Sequence, residues 1–172
     1  DASTNLILFC YQSFYLLFKI KPFQAIAKLI SYFSFKTFFV GNKRFISKFV
    51  GDFKSERFIS LKSIFDEIKE NKVFLKMDIE GSEYRCLDYL IRFQDKFSSV
   101  IIEFHDFDCN LEKIKLFLNK FKLDIAHIHI NNYTPLTDNN LPQTIEVTFT
   151  SQKISSKIKP KLPHALDAPN NS

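Results

Sequence analysis

The sequence predicts an α/β protein, a mostly parallel sheet with helices on both faces and an antiparallel final strand. Three observations carry that expectation. Short apolar runs alternate with stretches of helical period along the 172 residues, the rhythm of βαβ units. The last two apolar runs have no helical stretch between them, so the final strand enters antiparallel. Three successive runs also end in acid, imidazole or amide groups, and open α/β sheets place ligands beyond the carboxyl ends of their strands.

The chain opens Asp1-Ala2-Ser3-Thr4, a strand end leading to a helix N-cap. A Phe-rich helical segment follows over 4–34, interrupted by Gln12 and Ser13, with Pro22 in the first turn of its second helix. Its apolar runs fall short of the eighteen or so residues needed to span a membrane. Lys-flanked Phe faces also lie on membranes, but packing against the sheet is the commoner use of such a stripe. Thr37 to Val40 and Phe45 to Val50 read as short strands, the second ending in Gly51-Asp52. Ser60 caps a helix whose apolar face is Leu61, Ile64, Phe65 and Ile68.

Val73 to Asp78 is the first long buried strand, followed by a helix from Glu83 to Phe93 with Tyr84, Leu87 and Ile91 on one face. Ser98 to Phe104 is the next strand, and Leu111, Ile114, Leu118 and Phe121 mark another amphipathic helix. Leu123 to Ile130 and Gln143 to Thr150 complete the sheet. One domain over 1–151 therefore carries the fold, and 152–172, rich in Lys, Ser and Pro, reads as a loosely attached tail.

Hydrophobic residues make up 45% and charged residues 25%, a composition typical of globular proteins. The net charge of +5 invites a nucleic-acid reading. The lysines, however, are scattered, whereas a phosphate-tracking groove needs converging cations with stacking aromatics. Nucleic acid is therefore not an expected partner, nor is an integral membrane segment expected. Cys10, Cys86 and Cys109 fit no zinc or redox spacing and read as reduced thiols of a cytoplasmic protein.

The chemistry concentrates in Val73 to Tyr84, VFLKMDIEGSEY, where an apolar run climbs into Asp78, Glu80 and Glu83 around Gly81. Glu103-Phe104-His105-Asp106 and His127-Ile128-His129-Ile130-Asn131-Asn132 repeat the design. Alternate residues of a strand share a face, so these groups describe one polar cleft. A metal held by Asp78, Glu103, His105 and His129 is conceivable. Four such groups equally serve a purely hydrogen-bonding cleft, and no metal is expected.

The strings LKMDIEGSEY, IIEFHD, HIHINNY and QTIEVTF, in this order and spacing, resemble the FkbM-type methyltransferases, as does the closing Leu166-Asp167-Ala168-Pro169-Asn170-Asn171. The resemblance runs from about Asp52 to the C-terminus. It implies a Rossmann-like methyltransferase fold and S-adenosylmethionine-dependent methylation of a hydroxyl on a sugar, glycan or related metabolite. Asp1 is then expected at the donor ribose, Asp52 near the adenine and Asp78 at the donor. His105 is the candidate base, with Asp78 and Glu80 beside it in catalysis. Glu83, Glu103, His129, Asn131 and Asn132 are expected to contact the acceptor.

The glycine-rich turn of such folds is missing, since Gly41, Gly51 and Gly81 lie far apart. The expectation is an N-terminally truncated domain, inactive alone; a diverged chain that never had the loop is the alternative. A non-catalytic module keeping the fold to bind a glycan or protein is the rival function. An oligomer is left open.

Overall fold

The computed structural model describes residues 6–19, 22–39, 41, 43–52, 55–134, 136–154, 163–164 and 167–168. The expected strand end at Asp1–Thr4 and most of the 152–172 tail lie outside the described residues. The chain forms two compact units, Asp1–Phe49 with Glu56–Phe58 and Val50–Ser55 with Ile59–Ser172.

The first unit consists of α1 (Leu6–Phe18) and α2 (Pro22–Phe38), which pack on one another. Ser13 and Ala25 are buried, and side chains this small let helices approach closely. Pro22 begins α2 as expected, where its missing N–H costs nothing. The expected strand at Thr37–Val40 is not formed: Thr37 and Phe38 belong to α2, and Val40 is not described. Thr37 Oγ1 donates to the Phe33 carbonyl 3.1 Å away, one turn back. Phe35 meets Phe39 at a centroid distance of 4.9 Å, so helical neighbours absorb the β-branched and aromatic residues that suggested a strand.

Two short strands, β1 (Phe49–Gly51) and β2 (Phe58–Ser60), form a small separate sheet. Ser60 then caps α3 (Leu61–Glu67), its Oγ accepting from the Ser63 N–H at 3.1 Å.

The main sheet holds β3 (Val73–Met77), β4 (Phe97–Phe104), β5 (Asp124–Ile130) and β6 (Ile145–Thr150) in the order β3-β4-β6-β5. β3 and β4 are parallel, and β6 runs antiparallel to both β4 and β5. Three strands thus share one direction and only the last opposes them, so the sheet is mixed. α4 (Glu83–Phe93) connects β3 to its parallel neighbour, and α5 (Leu111–Lys120) leads from β4 to β5. β6 then returns into the gap between them.

One face of this sheet is apolar. On β6, Ile145, Val147 and Phe149 are buried while Glu146, Thr148 and Thr150 alternate with them, the period of two that a half-buried strand requires. Val100, Ile102 and Phe104 of β4 join them, and Cys86, Leu87 and Leu90 of α4 with Ile114 and Phe117 of α5 close the core. Phe149 meets Phe117 and Phe121 edge-on at centroid distances of 5.9 and 5.3 Å. The expected second layer of helices is not seen on the opposite face among the described residues of this unit. That face carries Phe74, Lys76, Glu103, Glu146, His127 and His129, as the strand register dictates. Lys76 reaches across to Glu146 at 3.1 Å, and that hydrogen bond is the main reason its ammonium holds its proton above the usual lysine range.

Candidate functional site

Because β3, β4 and β5 point the same way, the residues that follow them collect at one end of the sheet. After β3 the chain turns tightly at Ile79–Ser82, the Ser82 N–H donating to the Ile79 carbonyl at 3.2 Å. Glu80 and Gly81 occupy the corner with φ of 53° and 90°. Both angles are left-handed, which suits glycine and strains glutamate. After β4, Asp106 also has a positive φ, 48°. Two strained non-glycine residues beside one another's loops are the kind of local cost that collects at functional sites.

Glu83, the first residue of α4, organises the turn. Its carboxylate folds back over the loop, and Oε1 accepts from the Ile79 N–H at 3.0 Å and the Gly81 N–H at 3.3 Å. The same oxygen lies 3.1 Å from Nδ1 of His105. The side chain is fully buried, and Oε2 has no hydrogen-bond partner. Glu83 was expected to touch an acceptor; burial instead makes it an internal support for His105.

Since Glu83 Oε1 already accepts two N–H groups, the His105 tautomer that suits it is the one protonated at Nδ1, which leaves the Nε2 lone pair for the loop. Nε2 lies 3.5 Å from Glu80 Oε2 and 3.9 Å from Asp78 Oδ1. The two carboxylates are 86% and 41% exposed, whereas the imidazole is 19% exposed. One edge of the ring is therefore anchored in the protein and the other faces an open acidic loop. A proton taken up at Nε2 would create an imidazolium surrounded by carboxylates. The Tyr84 hydroxyl donates to the His105 carbonyl at 2.6 Å and fixes its backbone. Burial, reinforced by the negative charge of Glu83, Asp106 and Asp108, holds that phenol protonated well above the tyrosine range. Tyr84 was read from sequence only as part of an apolar helix face.

The remaining expected residues divide between neighbouring positions. Asn131, just past β5, donates to Glu103 Oε1 at 2.9 Å and accepts the Tyr133 N–H at 2.9 Å. Glu103 thereby meets an amide rather than a metal ligand. His129 lies in register with Glu146, itself opposite Glu103, but directs Nδ1 at Asp167 Oδ1, 3.5 Å away. Asp78, Glu103, His105 and His129 thus do not gather into one four-ligand group. Asp78, Glu80 and His105 do offer three ligand atoms within 4.8 Å of one another. Asn132 is exposed in the turn after β5, and Asp52 is exposed just past β1. Burial, then the charges of Glu83 and Asp52, pushes the Cys86 thiol up to about 11. Asp1 lies outside the described residues.

From sequence, His127 belongs to the polar cleft without a role of its own, and Asp167 only to the resembling tail. His127 Nε2 and Asp167 Oδ1 are 2.8 Å apart although the residues stand 40 positions apart in the chain.

Comparison with known families matches residues 31–134 to the methyltransferase FkbM domain. No curated protein and no solved structure matches the chain.

Proposed function

The chain belongs to the FkbM methyltransferase domain family, and on that premise we propose that it transfers a methyl group from S-adenosylmethionine to a hydroxyl of a sugar, glycan or related metabolite. The observation that carries this reading is the His105 ring, anchored through Nδ1 on buried Glu83 and presenting Nε2 to the loop of Asp78 and Glu80.

Bound S-adenosylmethionine supplies an electrophilic methyl on a sulfonium. Sulfonium and ammonium groups are cationic, and the exposed carboxylates of Asp78 and Glu80 suit them in charge. Asp78 would hold the donor and Asp52 would approach its adenine. His105 Nε2 takes the proton of the acceptor hydroxyl as oxygen becomes nucleophilic. Glu83 keeps the ring in the tautomer that can do so, and Asp78 and Glu80 balance the positive charge it acquires. Asn131 and Asn132, with Glu103 and His129, offer donors and acceptors matched to a polyhydroxylated acceptor. Orienting that hydroxyl in line with the methyl group is the larger share of the work.

The test is methyl transfer by the full-length protein from methyl-labelled S-adenosylmethionine to a panel of glycans and sugars. His105→Ala should lower the rate about a hundred- to ten-thousand-fold while donor binding, read by calorimetry, persists. A wild-type protein that binds a glycan but transfers no methyl group would favour the non-catalytic module instead. Unchanged turnover in His105→Ala would remove His105 as the base.

A further inference from the structure

We propose that His127, His129 and Asp167 form a binding site for one divalent first-row transition-metal ion, with Zn(II) the simplest occupant. The site lies on the edge strand β5 and the C-terminal segment, and it rests on no part of the methyl-transfer reading.

The histidines stand two residues apart in β5, opposite Thr148 and Glu146 of β6, so their side chains leave the same face. Both aim a ring nitrogen at one oxygen. His127 Nε2 is 2.8 Å and His129 Nδ1 is 3.5 Å from Asp167 Oδ1, and the three ligand atoms all lie within 4.8 Å of one another. Metal–nitrogen and metal–oxygen bonds of about 2.0–2.2 Å in a tetrahedral shell put neighbouring ligand atoms roughly 3.3 Å apart. The observed separations bracket that edge, so an ion needs only small side-chain adjustments to seat.

The carboxylate is pre-set. Asp167 Oδ2 accepts the His164 N–H at 2.7 Å, and the Asp167 N–H returns to the His164 carbonyl at 2.9 Å. This reciprocal pair leaves Oδ1 as the oxygen turned to the imidazoles, the task that outer-shell hydrogen bonds perform for metal ligands. Glu146, the nearest acid in register, is engaged by Lys76. The His164 ring stands edge-on to His127 with centroids 5.6 Å apart, beside the triad.

Burial also favours this group over the other one. His127, His129 and Asp167 are 31%, 20% and 14% exposed, open enough for an ion to enter and screened enough for charge to be felt. The Asp78, Glu80 and His105 group has a single imidazole and an 86%-exposed Glu80. Two imidazoles with one carboxylate select Zn(II), Fe(II), Co(II) or Mn(II) over Mg(II) and Ca(II), which prefer all-oxygen shells.

Metal-stripped full chain should be titrated with Zn(II) by calorimetry and with Co(II) by visible absorption, whose ligand-field bands report imidazole and carboxylate coordination. One ion per chain is expected. Asp167→Asn and His129→Gln should each weaken binding at least about tenfold, while His105→Ala leaves it unchanged. Asp167 lies outside every strand, so its amide variant spares the sheet. His129→Gln, checked by circular dichroism, supplies a second variant of similar volume. The absence of saturable binding below millimolar metal would overturn the proposal. So would binding that survives both variants, or that disappears in His105→Ala.

Discussion

Nδ1 of His105 lies 3.1 Å from the Oε1 atom of Glu83, a carboxylate with no solvent exposure that also accepts two backbone N–H groups of the loop before it. One buried group therefore sets both the shape of the acidic turn and the orientation of the imidazole. Disturbing it should affect folding and reactivity together, and the two effects can be separated.

Glu83→Gln retains an oxygen for the Ile79 and Gly81 N–H groups. Its amide nitrogen, however, takes the place of Oε2, which has no partner. A buried donor left unpaired costs about 1–3 kcal/mol, measurable as a fall in the urea midpoint. Turnover should fall more than about tenfold beyond what the lost stability explains, because a neutral amide no longer balances a protonated imidazole. The double variant with His105→Ala should be no slower than His105→Ala alone. Full additivity of the two losses would separate Glu83 from His105.

Gly81→Ala tests the turn. A Cβ at this position would meet only Asp106 Oδ2, at 3.9 Å, an ordinary contact, but φ is +90°. The cost is thus one of backbone conformation, about 1–2 kcal/mol, and should appear in thermal unfolding. A neutral substitution would mean that the corner can relax without its left-handed residue.

Cys86 and Tyr84 predict an alkaline weakness. Burial pushes the Cys86 thiol from 9.0 to about 11, so the unfolded chain gives up this proton at lower pH than the folded one. Between those values the unfolded state binds fewer protons, and stability falls as pH rises. The raised Tyr84 phenol acts in the same direction. Stability against urea should be flat in this respect below about pH 9 and decline above it. Cys86→Ala should flatten part of that slope, and an unchanged slope would contradict the assignment.

Phe149→Ala should be among the most damaging changes to the sheet. The side chain is fully buried and touches Phe117 and Phe121 edge-on. Removing a buried aromatic leaves a cavity costing about 3–5 kcal/mol, to be read from denaturant unfolding. A loss below 1 kcal/mol would mean the α5 side collapses into the space.

From β3 onward the order of strands and helices was legible in the sequence, and boundaries differ from expectation by a residue or two. There the signal was strong, because Ile145-Glu146-Val147-Thr148-Phe149 alternates cleanly and α4 runs from Glu83 to Phe93 as its apolar spacing implied. The stretch Thr37–Val40 misled because a short β-branched and aromatic run does not distinguish a strand from the last turn of a helix. The partners of His105 were all visible as residue types, yet their roles were not. That Glu83 turns inward depends on the tight corner at Glu80 and Gly81, which hands it two N–H groups. Asp167 was legible as part of a resembling tail but not as a neighbour of His127, since no periodicity reports where a distant segment returns.

The register between β5 and β6 slips by one residue between Ile125 and His127, leaving Ala126 without a partner in the ladder. In an unbroken strand Ile125, His127 and His129 would all lean the same way. Here Ile125 is opposite buried Phe149, whereas the histidines are opposite Thr148 and Glu146. The side on which the imidazoles emerge is thus decided by counting backwards from Ile130, and whatever precedes Ala126 is uncoupled from it. Ala126, a methyl group with no chemistry of its own, works as a spacer that sets Ile125 and Ile128 opposite the apolar Phe149 and Val147 while His127 and His129 stand opposite polar residues. Deleting it would straighten the strand while keeping both imidazoles in place. Adding a residue between His129 and Ile130 would instead turn both imidazoles to the apolar side, so at this end of the strand chain length matters more than side-chain identity.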